Sequence, residues 1–325
     1  MKHKIVFFGT PDHAKNVLQK FHEDENIEVV GVITNPDRPV GRKKILTASP
    51  VKRFAVENNI PVLTPENFKK GENEKLGEGD DADKWLQEKN ADFSVVVAYG
   101  VLVPQSIIDI PKKGTFNLHF SLLPKYRGAS PIQSAILNGD KISGISIFKL
   151  VLEMDAGDVF VQEKISIEGR KHLDVWNEMI EVGSQKFLDL CTNFSEFSGI
   201  SQDEGGATFC GKFSKADGEV NISENSADEI YQKFLAFHLW PGIFFFDKND
   251  NNKRVKLLDI EKISENLGLE ISDFLSGVSG DTYKIGDFFM YNKTLFLQTV
   301  SGVLQINTLQ KEGKKPVSGN EFFSF

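Results

Sequence analysis

The chain has 325 residues, 40% of them hydrophobic, and a formal net charge of −8. That length exceeds what one ordinary core needs, so two domains are expected. The two cysteines, Cys191 and Cys210, are too few for a disulfide framework or a four-thiolate zinc site and fit a reducing compartment.

No apolar run approaches the ~20 residues of a membrane span. The acidic balance argues against bulk nucleic-acid binding but leaves room for local basic patches. The opening run "KIVFFG" reaches Gly9 at once and predicts a first strand; a signal peptide would need a longer apolar region. A soluble cytoplasmic protein is expected.

Residues 12–22 place Ala14, Val17, Leu18 and Phe21 at helical spacing. "IEVVGVIT" predicts a second strand. "SPVKRFAVENN" predicts a helix with Ser49 as N-cap and Pro50 in its first turn. A short strand "PVLT", a helix "DKWLQEKN" and a strand "DFSVVVAYG" follow. The last is apolar on both faces, as in a parallel sheet covered on both sides. Next come a strand at residues 116–120, a helix around "SPIQSAILNG", and strands "SGISIFKLV" and "DVFVQEKISI". A long helix is predicted over residues 172–191, with Leu173, Trp176, Ile180, Phe187 and Leu190 on its core face. Alternating β and α elements imply an α/β fold, a doubly wound, mostly parallel sheet.

"SEFSGISQDEGGATF" lacks periodicity and predicts a linker. Beyond it lie one helix, "ADEIYQKFLAF", and short β-like runs: "GIFFF", "RVKLLDI", "TLFLQTV" and "VLQINTLQ". Such runs suggest a small barrel or sandwich. The expected division is a catalytic domain over 1–195, a linker over 196–206 and a second domain over 207–325. Residues 36–53 hold six basic residues and one acid, and residues 66–92 nine acids and five lysines, the latter a solvated surface insert.

Side chains alternate along a strand, so Asn117 and His119 share one face while Phe116, Leu118 and Phe120 share the other. An amide N–H can donate to an oxygen that gains negative charge, and an imidazole can stabilise that charge or handle a proton. Alone, an Asn-x-His pair is more simply a hydrogen-bonded strand end; the extended "SLLPKYRG" behind it makes the combination more specific. Asp155, in "LEMDAGDVF", lies in a turn, where a carboxylate can orient an imidazole or merely close an Asx-turn. "FFGTP" lacks the full dinucleotide fingerprint, and a tight βα turn explains it. The basic stretch with Arg38, Arg42, Lys43, Lys44, Lys52 and Arg53 is either a solvated loop or a phosphate-binding one. There is no H-E-x-x-H, G-x-S-x-G or Walker loop.

Together, "FNLHFSLLPKYRGASPIQSAI" and "MDAGD" resemble the folate-dependent formyltransferases. "VFFGTPDHA", "TNPDRPVGRKK", "SPVK", "VVVAYGVLVP", "KFSKADGEVN" and "AFHLWPG" extend the resemblance over nearly the whole chain. The basic loop and C-terminal domain are similar to those of members that act on aminoacylated initiator tRNA. Members acting on sugar-nucleotide amines or purine precursors would share the catalytic residues. The resemblance implies that a formyl group passes from 10-formyltetrahydrofolate to the α-amino group of methionine on initiator tRNA. Asn117 and His119 would then stabilise the tetrahedral oxyanion, and Asp155 would position His119 and assist proton removal. Ser121, Leu122, Leu123 and Pro124 match the family's folate-site segment. Arg38, Arg42, Lys43 and Lys44 match the loop that enters the tRNA acceptor arm. The C-terminal domain would be an OB-like β-barrel on the tRNA backbone. No metal, no membrane and a monomer are implied.

Overall fold

A computed structural model of the chain describes residues 2–41, 43–66, 68, 82–247, 252–263, 267–271 and 284–324. Arg42 and most of the acidic stretch fall outside the described residues.

In chain order the first elements are β1 (His3–Gly9), α1 (Asp12–Glu23), β2 (Ile27–Ile33), β3 (Arg38–Val40), β4 (Ile45–Thr47), α2 (Pro50–Glu57), β5 (Val62–Leu63), α3 (Ala82–Lys89), β6 (Phe93–Val97) and α4 (Gln105–Ile108). They continue with β7 (Gly114–His119), β8 (Arg127–Gly128), α5 (Pro131–Leu137), β9 (Ile142–Lys149), β10 (Val159–Ser166), α6 (His172–Thr192) and β11 (Phe209–Cys210). The last are α7 (Ala227–Phe237), β12 (Ile243–Asp247), β13 (Lys253–Lys262), β14 (Phe288–Tyr291), β15 (Thr294–Gln298), β16 (Val303–Lys311) and β17 (Val317–Ser318).

The chain folds into two compact units. The first comprises Met1–Pro131, Ile142–Ser166 and Trp176–Cys210; the second comprises Ile132–Lys141, Ile167–Val175 and Gly211–Phe325.

The first unit is built on a seven-stranded sheet in the order β10-β9-β7-β6-β1-β2-β5. β5, β2, β1, β6 and β7 run parallel, whereas β9 is antiparallel to β7 and to β10. The mostly parallel sheet expected from the α/β alternation is therefore present, closed on one side by an antiparallel pair. Both faces of β1 are covered, which explains its unbroken apolar run. Phe7 meets Phe21 of α1 edge to face, and the next residue, Phe8, packs with Ala82 and Leu86 of α3. α1 buries Ala14, Val17, Leu18 and Phe21, the face its spacing predicts. Ser49 caps α2 by accepting the Lys52 N–H at 3.0 Å, with Pro50 in the first turn. In α6, Met179, Ile180, Phe187 and Leu190 are buried, but Leu173 is exposed.

The basic stretch is more regular than its Pro and Gly content predicts. Arg38, Pro39 and Val40 of β3 pair antiparallel with Thr47, Leu46 and Ile45 of β4. The pairing is short enough that Pro39 needs no partner for its missing N–H.

The second unit is an antiparallel sheet in the order β12-β13-β16-β15-β14, with β17 added on β16. Phe289, Phe296, Val303 and Ile271 form one apolar cluster of it. Ser226 and Glu229 form a reciprocal capping box at the start of α7. The segments 132–141 and 167–175 join this unit: Gln133 donates to the Trp240 carbonyl at 3.1 Å, and Lys171 lies 3.3 Å from the Asp259 carboxylate. No described helix is long and apolar enough to cross a membrane.

Candidate active site

The residues singled out on β7 lie near its C-terminal end, where open α/β sheets form their crevices. Asn117 pairs with Val96 of β6 and Phe148 of β9, and His119 with Ser146. The Asn117 side-chain oxygen is buried and has no hydrogen-bond partner among the described residues. Buried polar groups are nearly always paired, so this oxygen stands out as open to a donor.

His119 is buried and fixed on one side. Its Nε2 lies 2.9 Å from the Tyr126 carbonyl oxygen. A carbonyl can only accept, so Nε2 carries the proton and Nδ1 is left for the other side of the ring. There the Asp155 Oδ2 stands 3.8 Å away, too far for a direct hydrogen bond. The same oxygen accepts the backbone N–H of Gly128 at 2.7 Å.

Three backbone positions around this pair have positive φ: Tyr126 at 59°, Gly128 at 121° and Asp155 at 53°. Asp tolerates the left-handed region better than most residues, and Tyr does so at a cost of about 1–3 kcal/mol. At Gly128 a Cβ would lie 2.1 Å from the Cys210 carbonyl oxygen, so the position requires glycine. β8 and β11 pair in parallel there, Arg127 against Phe209 and Gly128 against Cys210.

The "SLLP" segment is sewn to the antiparallel edge of the sheet. Ser146 Oγ donates to the Ser121 carbonyl at 2.7 Å and accepts the Leu123 N–H at 3.0 Å. Gln162 of β10 donates to the Leu123 carbonyl at 2.7 Å. Ser121 turns its hydroxyl back on its own loop, donating to the Lys125 carbonyl at 2.6 Å. Leu122 and Pro124 are half-buried, and Leu123 is buried.

Arg38, Lys43 and Lys44 are carried on a separate element, the β3–β4 hairpin, and all three are exposed. Lys52 is tied to Asp37 at 2.7 Å. Among the described residues no group of three or more His, Cys, Asp or Glu side chains could hold a metal ion.

Several residues that build this site are not among the candidates read from the sequence. Arg127 is completely buried, and its guanidinium donates to Gln202 and Glu204. Ser146 had a visible sign, a hydroxyl flanked by apolar Ile145 and Ile147 within its strand. Gln202 and Glu204 had none, because their partner lies 75 and 77 residues away.

Comparison with known proteins matches residues 3–186 to the formyl transferase family and residues 212–325 to the formyl transferase C-terminal domain. A methionyl-tRNA formyltransferase of Caldicellulosiruptor saccharolyticus is 37% identical over 322 residues, covering 98% of this chain and 95% of the relative. One from Campylobacter lari is 38% identical over 323 residues, with 98% and 95% covered. Among solved structures, HypX from Aquifex aeolicus in complex with tetrahydrofolic acid aligns with a TM-score of 0.61 at 16% identity, over 98% of this chain and 46% of that one. An N-formyltransferase from Helicobacter canadensis, in complex with folinic acid and dTDP-3-aminofucose, aligns with a TM-score of 0.59 at 17% identity, over 96% and 100%. At these identities the two structures speak for the fold.

Proposed function

We propose, since the chain belongs to the formyl transferase family, that it transfers the formyl group of 10-formyltetrahydrofolate to the α-amino group of methionine on initiator tRNA. Full-length similarity to methionyl-tRNA formyltransferases, through both domains, is the observation that carries the substrate. The chemistry is a one-carbon transfer used in translation initiation.

In this reading the Asn117 amide and the His119 ring, with a proton on Nδ1, act together on the formyl oxygen. The amine nitrogen bonds to the formyl carbon, negative charge gathers on that oxygen, and the bond to the folate nitrogen then breaks. The amine loses a proton and the leaving nitrogen gains one. Asn117 has an N–H to offer the charged oxygen, and its idle, buried carbonyl oxygen suits the attacking amine's N–H. Asp155, 3.8 Å from His119 Nδ1, would orient the protonated ring and draw the amine's proton through one water. Ser121, Leu122, Leu123 and Pro124 would flank the folate, and the formyl donor acts as a co-substrate. Arg38, Arg42, Lys43 and Lys44 would meet the phosphates of the acceptor arm. The division into a catalytic part over 1–195, a linker over 196–206 and an OB-like tRNA-binding domain over 207–325 would hold in outline, with the stretch 196–210 packing as part of the first unit. The protein would work as a cytoplasmic monomer.

Formylation of methionyl initiator tRNA by the purified protein, with 10-formyltetrahydrofolate as donor, is the direct test. Formylation of a nucleotide-linked amino sugar with none of charged tRNA would overturn the assignment.

A further inference from the structure

The turn that carries Asp155 has little apolar support. Leu152 and Met154, its bulky side chains, are 63% and 56% exposed, and Asp155 itself holds a left-handed backbone conformation. Such a turn keeps its shape through hydrogen bonds. Gln202 supplies two of them from a single amide nitrogen: Nε2 donates to the Asp155 carbonyl at 2.8 Å and to the Gly157 carbonyl at 2.7 Å. The other end of the same amide, Oε1, accepts from Arg127 Nη2 at 2.9 Å and Nε at 3.2 Å. Arg127 is fully buried and is held in turn by both oxygens of Glu204, at 3.0 and 2.7 Å. The residue next to Arg127 is Gly128, whose N–H fixes the Asp155 carboxylate. Backbone and carboxylate of one aspartate therefore hang from two consecutive residues, and Gln202 is the bridge on the backbone side.

We propose that Gln202 is a positioning residue for Asp155, aiming its carboxylate at His119 through the Arg127–Gln202 bridge. This rests on the reading of Asp155 as the partner of His119 in formyl transfer. The stretch around residue 202, a linker by composition, then acts as a strap on the catalytic turn. Only an amide serves here, because the position needs an acceptor for a guanidinium and a donor for two carbonyls at once.

The test is a double-mutant cycle on the full chain with 10-formyltetrahydrofolate and methionyl initiator tRNA. Gln202→Glu keeps an acceptor for Arg127 but turns the donor end into an oxygen facing two carbonyls. Expected is a kcat loss of roughly 10- to 100-fold with the KM of both substrates little changed, since misplacement of a catalytic group acts on the transition state. In an Asp155→Asn background the same substitution should cost less than about 3-fold, because the two changes act through one group. An equal loss in both backgrounds, a KM effect with kcat unchanged, or no loss would overturn the proposal. If Gln202→Glu fails to fold, Gln202→Met removes both ends of the bridge at similar volume and carries the same cycle. Full turnover by Asp155→Asn alone would instead overturn the catalytic reading beneath it.

Discussion

Gly128 donates its backbone N–H, at 2.7 Å, to the Asp155 oxygen that faces His119. That carboxylate oxygen is thereby fixed by a rigid amide, 3.8 Å from the imidazole nitrogen. The amide stays where it is because φ at Gly128 is 121° and the Cys210 carbonyl crowds its Cα. Gly128→Ala should force the two strands apart. Expected are a stability loss of about 1–3 kcal/mol from the backbone and a kcat reduced at least about tenfold by the displaced carboxylate. Thermal unfolding and steady-state kinetics on the same preparation separate the two effects.

Replacing His119 by Gln retains a donor for the Tyr126 carbonyl while removing the ring. Turnover should fall by about 10²–10⁴ with the unfolding midpoint nearly unchanged. Asn117→Ala should cost about 10²–10³ in kcat. Asn117→Asp should be no better, since it keeps an acceptor and loses the donor. Undiminished turnover in either Asn117 variant would remove that residue from the reaction.

Ser146 is a buried hub for the segment that would flank the folate. Ser146→Ala strips a partner from the Ser121 carbonyl and the Leu123 N–H. A stability loss of about 1–3 kcal/mol is expected from the unmet groups. The KM for 10-formyltetrahydrofolate should rise while that for tRNA holds steady; equal shifts in both would point to general misfolding.

Lys43 and Lys44 stand exposed at the turn of the β3–β4 hairpin. If they meet phosphates, Lys43→Ala and Lys44→Ala should each weaken tRNA binding and lower the slope of log affinity against log salt by about 1. Arg42→Ala should do the same. Folate binding, followed by fluorescence, should not respond, and a wild-type slope near zero would exclude the hairpin from phosphate contact.

Burial pushes the His172 imidazole down from 6.5 to about 4, with His238 adding to the shift, so the folded chain keeps it neutral where the unfolded chain takes up a proton. Stability should therefore fall as pH drops from 6.5 toward 4, at up to about 1.4 kcal/mol per pH unit from this group, and no further below that. His238 is also pushed down by burial and acts in the same direction. Denaturant titrations across this range should show a flatter dependence for His172→Gln; an unchanged slope would assign the effect elsewhere.

Much of this was legible in the chain. The period-2 alternation of residues 116–120 places Asn117 and His119 on one face, and the unbroken apolar runs of β1 and β6 announce a doubly covered sheet. Strands β9 and β10 were legible as strands but not in direction, because local sequence does not encode which way a neighbour runs. The β3–β4 hairpin was hidden by Pro39 and Gly41, which ordinarily break strands. The strap around Gln202 was hidden for another reason. Its side chains satisfy a guanidinium more than seventy positions earlier, and hydrogen bonds of that range leave no periodic trace.

The buried guanidinium of Arg127 also sets a minimum length for any N-terminal fragment. A piece cut at residue 195, just past α6, would leave that guanidinium without Gln202 and Glu204, its hydrogen-bond partners. It would also lack β11, which closes over Gly128. An N-terminal piece that keeps these contacts thus runs at least through Cys210. A grafting or domain-exchange experiment that joins this half to a foreign partner should place its seam beyond that residue.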